Sequence, residues 1–181
     1  MKKKTARTLA GLWVVVPLAV VAACGSSSTG PSSQPFDMTS VDFAPSLGVD
    51  LSQMDSLGDQ LYAEDLQVGD DTLTATTGDT LTVDYEAWLS DGTKFDSSLD
   101  RDSTFTFVLG LDNLITGFTR GVGGMRVGGV RLIVIPPDLG YGAQDYGPIP
   151  GNSALVFKVW LRDLGRVGVP KAQTSGASEG S

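Results

Sequence analysis

The sequence predicts an α+β domain in which a curved antiparallel β-sheet, a half-barrel, wraps around one short α-helix. Three observations lead there. Stretches between residues 81 and 164 alternate apolar and polar residues, or run apolar for about the length of one strand. Only one stretch carries apolar residues at helical spacing. Turn signals of glycine, aspartate and proline separate these segments. Many strands with one short helix fit a two-layer arrangement, sheet against helix.

Taken in order, LTVDYEAWL (81–89) puts Leu81, Val83, Tyr85, Ala87 and Leu89 on one face of a strand. Asp91-Gly92 then supplies a hairpin turn. TFTFVLG (104–110) places Phe105, Phe107 and Leu109 together. In NLITGFTRGVGGM (113–125), Leu114, Ile115 and Phe118 fall at i, i+1 and i+4 and share one face of a predicted helix. VRLIVI (130–135) is an apolar run stopped by Pro136 and Pro137. ALVFKVWLRDL (154–164) alternates again, with Leu155, Phe157, Val159 and Leu161 on one face.

The segments outside this core read differently. Residues 1–23 have the form of an export signal, with a charged MKKKTAR start and an apolar run too short for a comfortable membrane span. Residues 24–40 are rich in glycine, serine and proline and are expected to form a flexible tether. Residues 41–60 contain scattered apolar positions, with Leu47, Val49 and Leu51 alternating; they add an edge strand or drape over the domain, and the pattern does not choose. Residues 61–166 are expected to hold the folded domain, and 167–181 a polar disordered tail.

Composition excludes several chemistries. The formal net charge is −8, and an acidic chain repels phosphate backbones, so no nucleic-acid partner is expected. There is no histidine, which removes Ser-His and Cys-His catalysis and imidazole metal ligands. The single cysteine, Cys24, cannot form an internal disulfide or a multi-cysteine zinc site. No metal and no cofactor are expected; carboxylates, hydroxyls, backbone groups and shape remain.

Two resemblances add to this reading. Val21-Ala22-Ala23-Cys24 resembles a bacterial lipobox, which implies cleavage before Cys24 and acylation of its sulfur and amino group. Several acyl chains hold a protein stably on a membrane. An ordinary signal peptide preceding a cysteine by chance is the plainer alternative. The implied location is extracytoplasmic, lipid-anchored to a bacterial membrane on the periplasmic side or cell surface, and Gly25 is compatible with outer-membrane sorting.

Further along, VDYEAWLSDGTKFDSS (83–98), LITGFTRGVGGMRVGG (114–129), IPPDLGYGA (135–143) and ALVFKVWL (154–161) resemble, in order and spacing, the core of the FKBP-type peptidyl-prolyl cis-trans isomerases. LYAEDLQVGD (61–70) is similar to that family's first strand. The resemblance implies a proline pocket with walls of Tyr85, Phe95, Phe105, Leu114, Ile115, Tyr141, Ile149 and Phe157, a floor at Phe118 and Asp96 at the rim. Two departures are visible: Phe118 stands where the family usually has tryptophan, and the loop GAQDYGPIPGNS after Tyr141 is about one residue shorter than the commonest version. The first implies weakened affinity for the family's macrolide inhibitors.

The implied partners are proline-containing polypeptides. An Xaa-Pro bond rotates over a barrier of about 18–20 kcal/mol because twisting breaks amide resonance. No covalent bond changes, so the missing histidine is compatible with activity. A water-poor aromatic pocket favours the twisted, less charge-separated amide, and placed polar groups orient it. The resemblance assigns Asp96 as a carboxylate acting by its field, Tyr85 as its orienter, and Tyr141 and the Ile115 backbone N–H as donors to substrate carbonyls. From periodicity alone, Phe95, Phe105, Phe118 and Phe157 read as ordinary core residues. A chaperone or binding module for proline-containing chains with little turnover is the alternative function. A purely structural surface lipoprotein is a third, and it predicts no proline preference.

Overall fold

A computed structural model of the chain describes residues 36–70 and 72–166. Seven strands form one sheet: β1 (Asp55–Ser56), β2 (Tyr62–Gln67), β3 (Thr80–Leu89), β4 (Lys94–Ser97), β5 (Phe105–Val108), β6 (Val130–Ile135) and β7 (Leu155–Gly165). One α-helix, α1 (Thr116–Val122), lies between β5 and β6. The strand order is β1-β2-β6-β7-β3-β4, with β5 also paired to β3 and every pairing antiparallel.

The predicted alternation is what builds the inner face. Leu81, Val83, Tyr85 and Ala87 of β3 are buried beside Leu161, Val159 and Phe157 of β7, with Ala87 opposite Phe157 and Tyr85 opposite Val159. Ile133 and Ile135 of β6 continue this face, and Phe118 and Val122 of α1 pack onto it. The helix sits very close to the sheet, because a Cβ at Gly117 would lie 2.2 Å from Ile135 Cγ2 and one at Gly121 would lie 2.6 Å from Ile133 Cγ2. Two glycines weaken helix propensity, so packing on the sheet, more than intrinsic preference, holds this short helix. The hairpin turn falls at Gly92, whose φ of 89° suits a residue without a Cβ.

The helix starts later than its periodicity predicts. Leu114 and Ile115 precede it, and Ile115 is the N-cap residue with an extended ψ of 137°. Their apolar side chains therefore leave the helical face, yet both still pack against the inner core from the loop before α1.

The reverse face of the sheet is covered as well. Leu132 and Val134 of β6 and Val156 of β7 point away from α1, and they form a second core with Met38 and Met54. Phe36, Val41, Phe43, Leu47, Val49 and Leu51 pack around it. Residues 36–54 thus form a strap across the back of the sheet. The Ala44 N–H donates to Ser90 O at 2.8 Å at one side of the strap. The Gln60 side chain clasps its start, accepting from Met38 N and donating to Phe36 O, each at 2.6 Å. The uncertainty over residues 41–60 resolves into both options: two residues of edge strand in β1, and a drape for most of the rest. The expectation of a tether over 24–40 fails at its end, since Met38 is fully buried and residues 36–40 belong to the folded unit, which therefore includes residues well before Leu61. Apolar residues every few positions suffice to bind a strap without any regular period, which is why the composition of 24–40 misled. The export signal, Cys24, the remainder of the tether and the tail at 167–181 lie outside the described residues.

Candidate functional site

The inner face of the sheet opens at one end into a cleft of about 250 Å³. It gathers residues from most of the chain: Tyr85 from β3, Phe95 and Asp96 from β4, Phe105 from β5, Leu114 and Ile115 from the loop before α1, Phe118 from α1, Tyr141 from the loop after β6, and Phe157 from β7. Nine of the ten positions expected to form the site thus share one cavity. Ile149 does not line it: at 3% exposure it is buried in the core, paired with Tyr146 through two backbone hydrogen bonds. Its own loop folds back and carries Tyr146 into the cleft in its place.

Edge-on aromatic packing shapes the interior. Phe118 is 5% exposed at the base, with ring centroids 5.4 Å from Phe157, 5.6 Å from Phe107 and 6.3 Å from Tyr85. Phe95 meets Phe157 at 6.0 Å and an interplanar angle of 81°, and Tyr85 meets Phe105 at 5.9 Å and 76°. Such T-shaped contacts set the positive edge of one ring against the negative face of another. They hold the rings in place while leaving apolar surface turned to the cavity.

One side of the cleft is polar. The Tyr85 hydroxyl donates to Asp96 Oδ2 at 2.5 Å, and Arg101 Nη2 donates to that hydroxyl at 2.9 Å. Arg101 Nη1 pairs with Asp96 Oδ1, which also accepts from the Ser97 N–H at 2.8 Å. Burial by itself would raise the pKa of Asp96. The hydrogen bonds from Tyr85 and Arg101, the guanidinium charge and the Ser97 N–H outweigh it, and the carboxyl is held below its ordinary range. Burial and the bond to Asp96 push the Tyr85 hydroxyl up, so it stays protonated and donates. Across the cleft, Tyr141 stacks on Tyr146 with centroids 4.6 Å apart and planes 12° from parallel. Burial, then the nearby Tyr146 and Asp96, raise its hydroxyl too. No described residue hydrogen-bonds the Tyr141 hydroxyl, which keeps its proton available to a bound acceptor.

Arg101, Asn113 and Tyr146 are the site residues that sequence reasoning missed. Arg101 follows Asp96 by five residues, and its sign opposite a lone rim carboxylate was the available signal. Tyr146 was visible only as an aromatic residue in a polar loop, and Asn113 carried no signal.

An open aromatic cleft with an ionised carboxylate at its rim, on a curved sheet wrapped around one helix, fits the isomerase class expected from the sequence. The model of the FKBP-type peptidyl-prolyl cis-trans isomerase family matches residues 72–162. The chain is 47% identical over 102 residues to a protein called FK506-binding protein from Neisseria meningitidis serogroup A, spanning 56% of this chain and 93% of that relative. It is 48% identical over 91 residues to FK506-binding protein 2 of Dictyostelium discoideum, spanning 50% of this chain and 68% of the relative. The crystal structure of FkpA from Escherichia coli superposes with a TM-score of 0.58 at 34% identity, covering 62% of this chain and about half, 52%, of that one. The chain belongs to the FKBP-type peptidyl-prolyl cis-trans isomerase family and is a peptidyl-prolyl cis-trans isomerase.

Proposed function

We propose that this isomerase accelerates rotation about Xaa-Pro bonds in exported proteins while held at a membrane by a lipid on Cys24. The observation that carries the catalytic reading is the pairing of an aromatic cavity with Asp96, held ionised by Tyr85 and Arg101. The proline ring enters the space over Phe118, where little water competes. The twisted amide has lost charge separation and is better accommodated there than the planar amide. Asp96 acts by its field, with no proton transferred, Tyr85 orients it, and the Tyr141 hydroxyl donates to a substrate carbonyl. The little-turnover alternative lacks a specific observation in its favour, since an apolar binding groove has no need of an oriented carboxylate.

A protease-coupled assay on Xaa-Pro tetrapeptides tests this reading. Wild-type enzyme is expected to turn over, with a preference for apolar residues before proline. Asp96→Asn keeps the shape and removes the charge, so kcat/KM is expected to fall about tenfold, the equivalent of about 1.4 kcal/mol, with little change in the unfolding midpoint. Because the Asp96 carboxyl is held below its ordinary value, wild-type activity is expected to stay level through mildly acidic pH and to drop only below the normal carboxylate range. Wild-type activity no greater than buffer would overturn the catalytic reading.

The anchor is supported by the lipobox-like Val21-Ala22-Ala23-Cys24 and the charged, then apolar, segment before it. Cys24 lies 61 residues before Tyr85, the first residue of the cleft in the chain, so its loss removes no group from the cleft. The native N-terminus is expected, by mass spectrometry, to be an acylated Cys24. Cys24→Ala is expected to move the protein from membranes to the soluble fraction with kcat/KM unchanged; an unmodified thiol or cleavage elsewhere defeats the anchor.

Similarity to proteins named for binding FK506 supports macrolide binding here, weakened by the smaller ring at Phe118. A rigid ligand above a phenyl floor leaves space where an indole would touch it, and unfilled space forfeits dispersion contacts. Calorimetric titration with FK506 is expected to show tighter binding by Phe118→Trp than by wild type. Equal affinity would mean that Phe107, Phe157 and Tyr85 already close the floor.

A further inference from the structure

The outer edge of β3 is split. β5 pairs with Thr80–Val83 and β4 with Glu86–Trp88, which leaves Asp84 and Tyr85 between the two. Ser98, fully buried, fills that gap. Its N–H donates to Tyr85 O at 2.9 Å, and its Oγ accepts from the Tyr85 N–H at 2.9 Å. The same Oγ donates its one proton to Asp84 Oδ1 at 3.1 Å, and the other Asp84 oxygen accepts from Arg162 Nε at 2.7 Å. Asp84 is itself only 8% exposed. With its one proton directed at Asp84, which also accepts from Arg162, the Ser98 Oγ keeps a lone pair for the Tyr85 N–H. Ser98 O then accepts from the Arg101 N–H at 3.1 Å and the Ser103 N–H at 3.3 Å, starting the turn that brings Arg101 back to Asp96.

We propose that Ser98 and Asp84, neither of which lines the cleft, are positioning residues for the isomerase reaction, fixing Tyr85 and the Asp96–Arg101 turn in one register from behind. Arg162, on the far side of the sheet edge, holds Asp84 in this role. The inference rests on the reading of Asp96 as the group that acts on the twisted amide. Its physical basis is that a charge acts on a transition state only from the right place, and a misplacement of about 1 Å can cost up to about a hundredfold.

A double-mutant cycle in the full-length enzyme separates positioning from mere stability. Ser98→Ala is expected to lower kcat/KM about tenfold in the native background. In the Asp96→Asn background it is expected to change kcat/KM by less than about twofold, because the charge it positions is already gone. Arg162→Ala, at an exposed side chain, gives a second route should Ser98→Ala not fold, with a smaller loss that also vanishes in the Asp96→Asn background. A protease-free assay adds the pH profile. The ionisable groups facing Asp96 are Tyr85 from β3, Arg101 from its own turn and Tyr141 from across the cleft. Loosening the first two is expected to move the acid limb of the Ser98→Ala profile up, toward the ordinary carboxylate range. Equal losses from Ser98→Ala and from Arg162→Ala in both backgrounds, with an unmoved acid limb, would show a structural role and overturn the proposal. If Asp96→Asn alone leaves kcat/KM unchanged, the reading of Asp96 falls and takes this inference with it; the single variant therefore tells the two failures apart.

Discussion

Phe157→Ala is expected to lower kcat/KM by about a hundredfold and to destabilise the domain by about 3–5 kcal/mol. Phe157 is one ring with two duties. On β7 it lies opposite Ala87 of β3 and Ile133 of β6, and at 6% exposure it belongs to the inner core. It also forms a wall of the cleft, and its ring contacts Phe95, Phe118 and Tyr85 at 6.0, 5.4 and 6.3 Å. Removing it takes away the surface against which a proline ring packs and lets Phe95 and Phe118 tilt into the space left. Proline then has several orientations available, and only some place the amide beside Asp96. Domains of ordinary stability, about 5–15 kcal/mol, survive such a loss as mostly folded protein. Urea denaturation gives the stability change, and the isomerisation assay well below the unfolding midpoint gives the activity of the folded fraction. A fall in kcat/KM no larger than the unfolded fraction explains would leave Phe157 as a core residue only.

Asp79→Ala is expected to cost about 3 kcal/mol at neutral pH without a specific effect on turnover, since Asp79 does not line the cleft. Asp79 is 3% exposed just before β3. It accepts from the Thr76 N–H at 2.8 Å, the Thr76 hydroxyl at 2.9 Å and Arg166 Nε at 2.7 Å, and Arg166 Nη2 adds a further short contact. Arg166 directly follows β7, so this pair ties the start of one central strand to the end of its neighbour. The Arg166 hydrogen bonds, helped by Thr76 and the guanidinium charge, overcome burial and hold the Asp79 carboxyl far below its usual range. A carboxyl with a depressed folded-state pKa stabilises the fold at pH above its unfolded value, and that stabilisation fades as pH falls from there toward the folded value. Wild type is therefore expected to lose stability as pH drops below about 4, the unperturbed aspartate value. Asp79→Ala is expected to lose less over the same interval, so the two unfolding free energies converge at low pH. Parallel curves would show that Asp79 carries no linked stability.

The strands and their inner face were legible because alternation is a local property. Leu81, Val83, Tyr85 and Ala87 could be read as one face without knowing what would cover it. The site residues were legible for a different reason. Phe95, Phe105, Phe118 and Phe157 look like any core positions by period, and only the ordered family motifs marked them as cavity walls. Ile149 shows where that transfer stops: it packs in the core, and Tyr146 of the same loop lines the cleft.

What the sequence by itself determined is the family, the curved antiparallel sheet around the one α-helix of the described residues, and nine of the eleven residues that meet in the cleft. The tertiary structure decided the rest. It placed Leu114 and Ile115 before the helix, brought Arg101 onto Asp96, and seated Met38 and its neighbours on the reverse face formed by Leu132, Val134 and Val156. Periodicity reports that a face is to be buried, but not which distant segment buries it. Likewise a lone aspartate in a turn shows that charge is present, while its partner and its pKa depend on which side chains folding brings within a few ångströms.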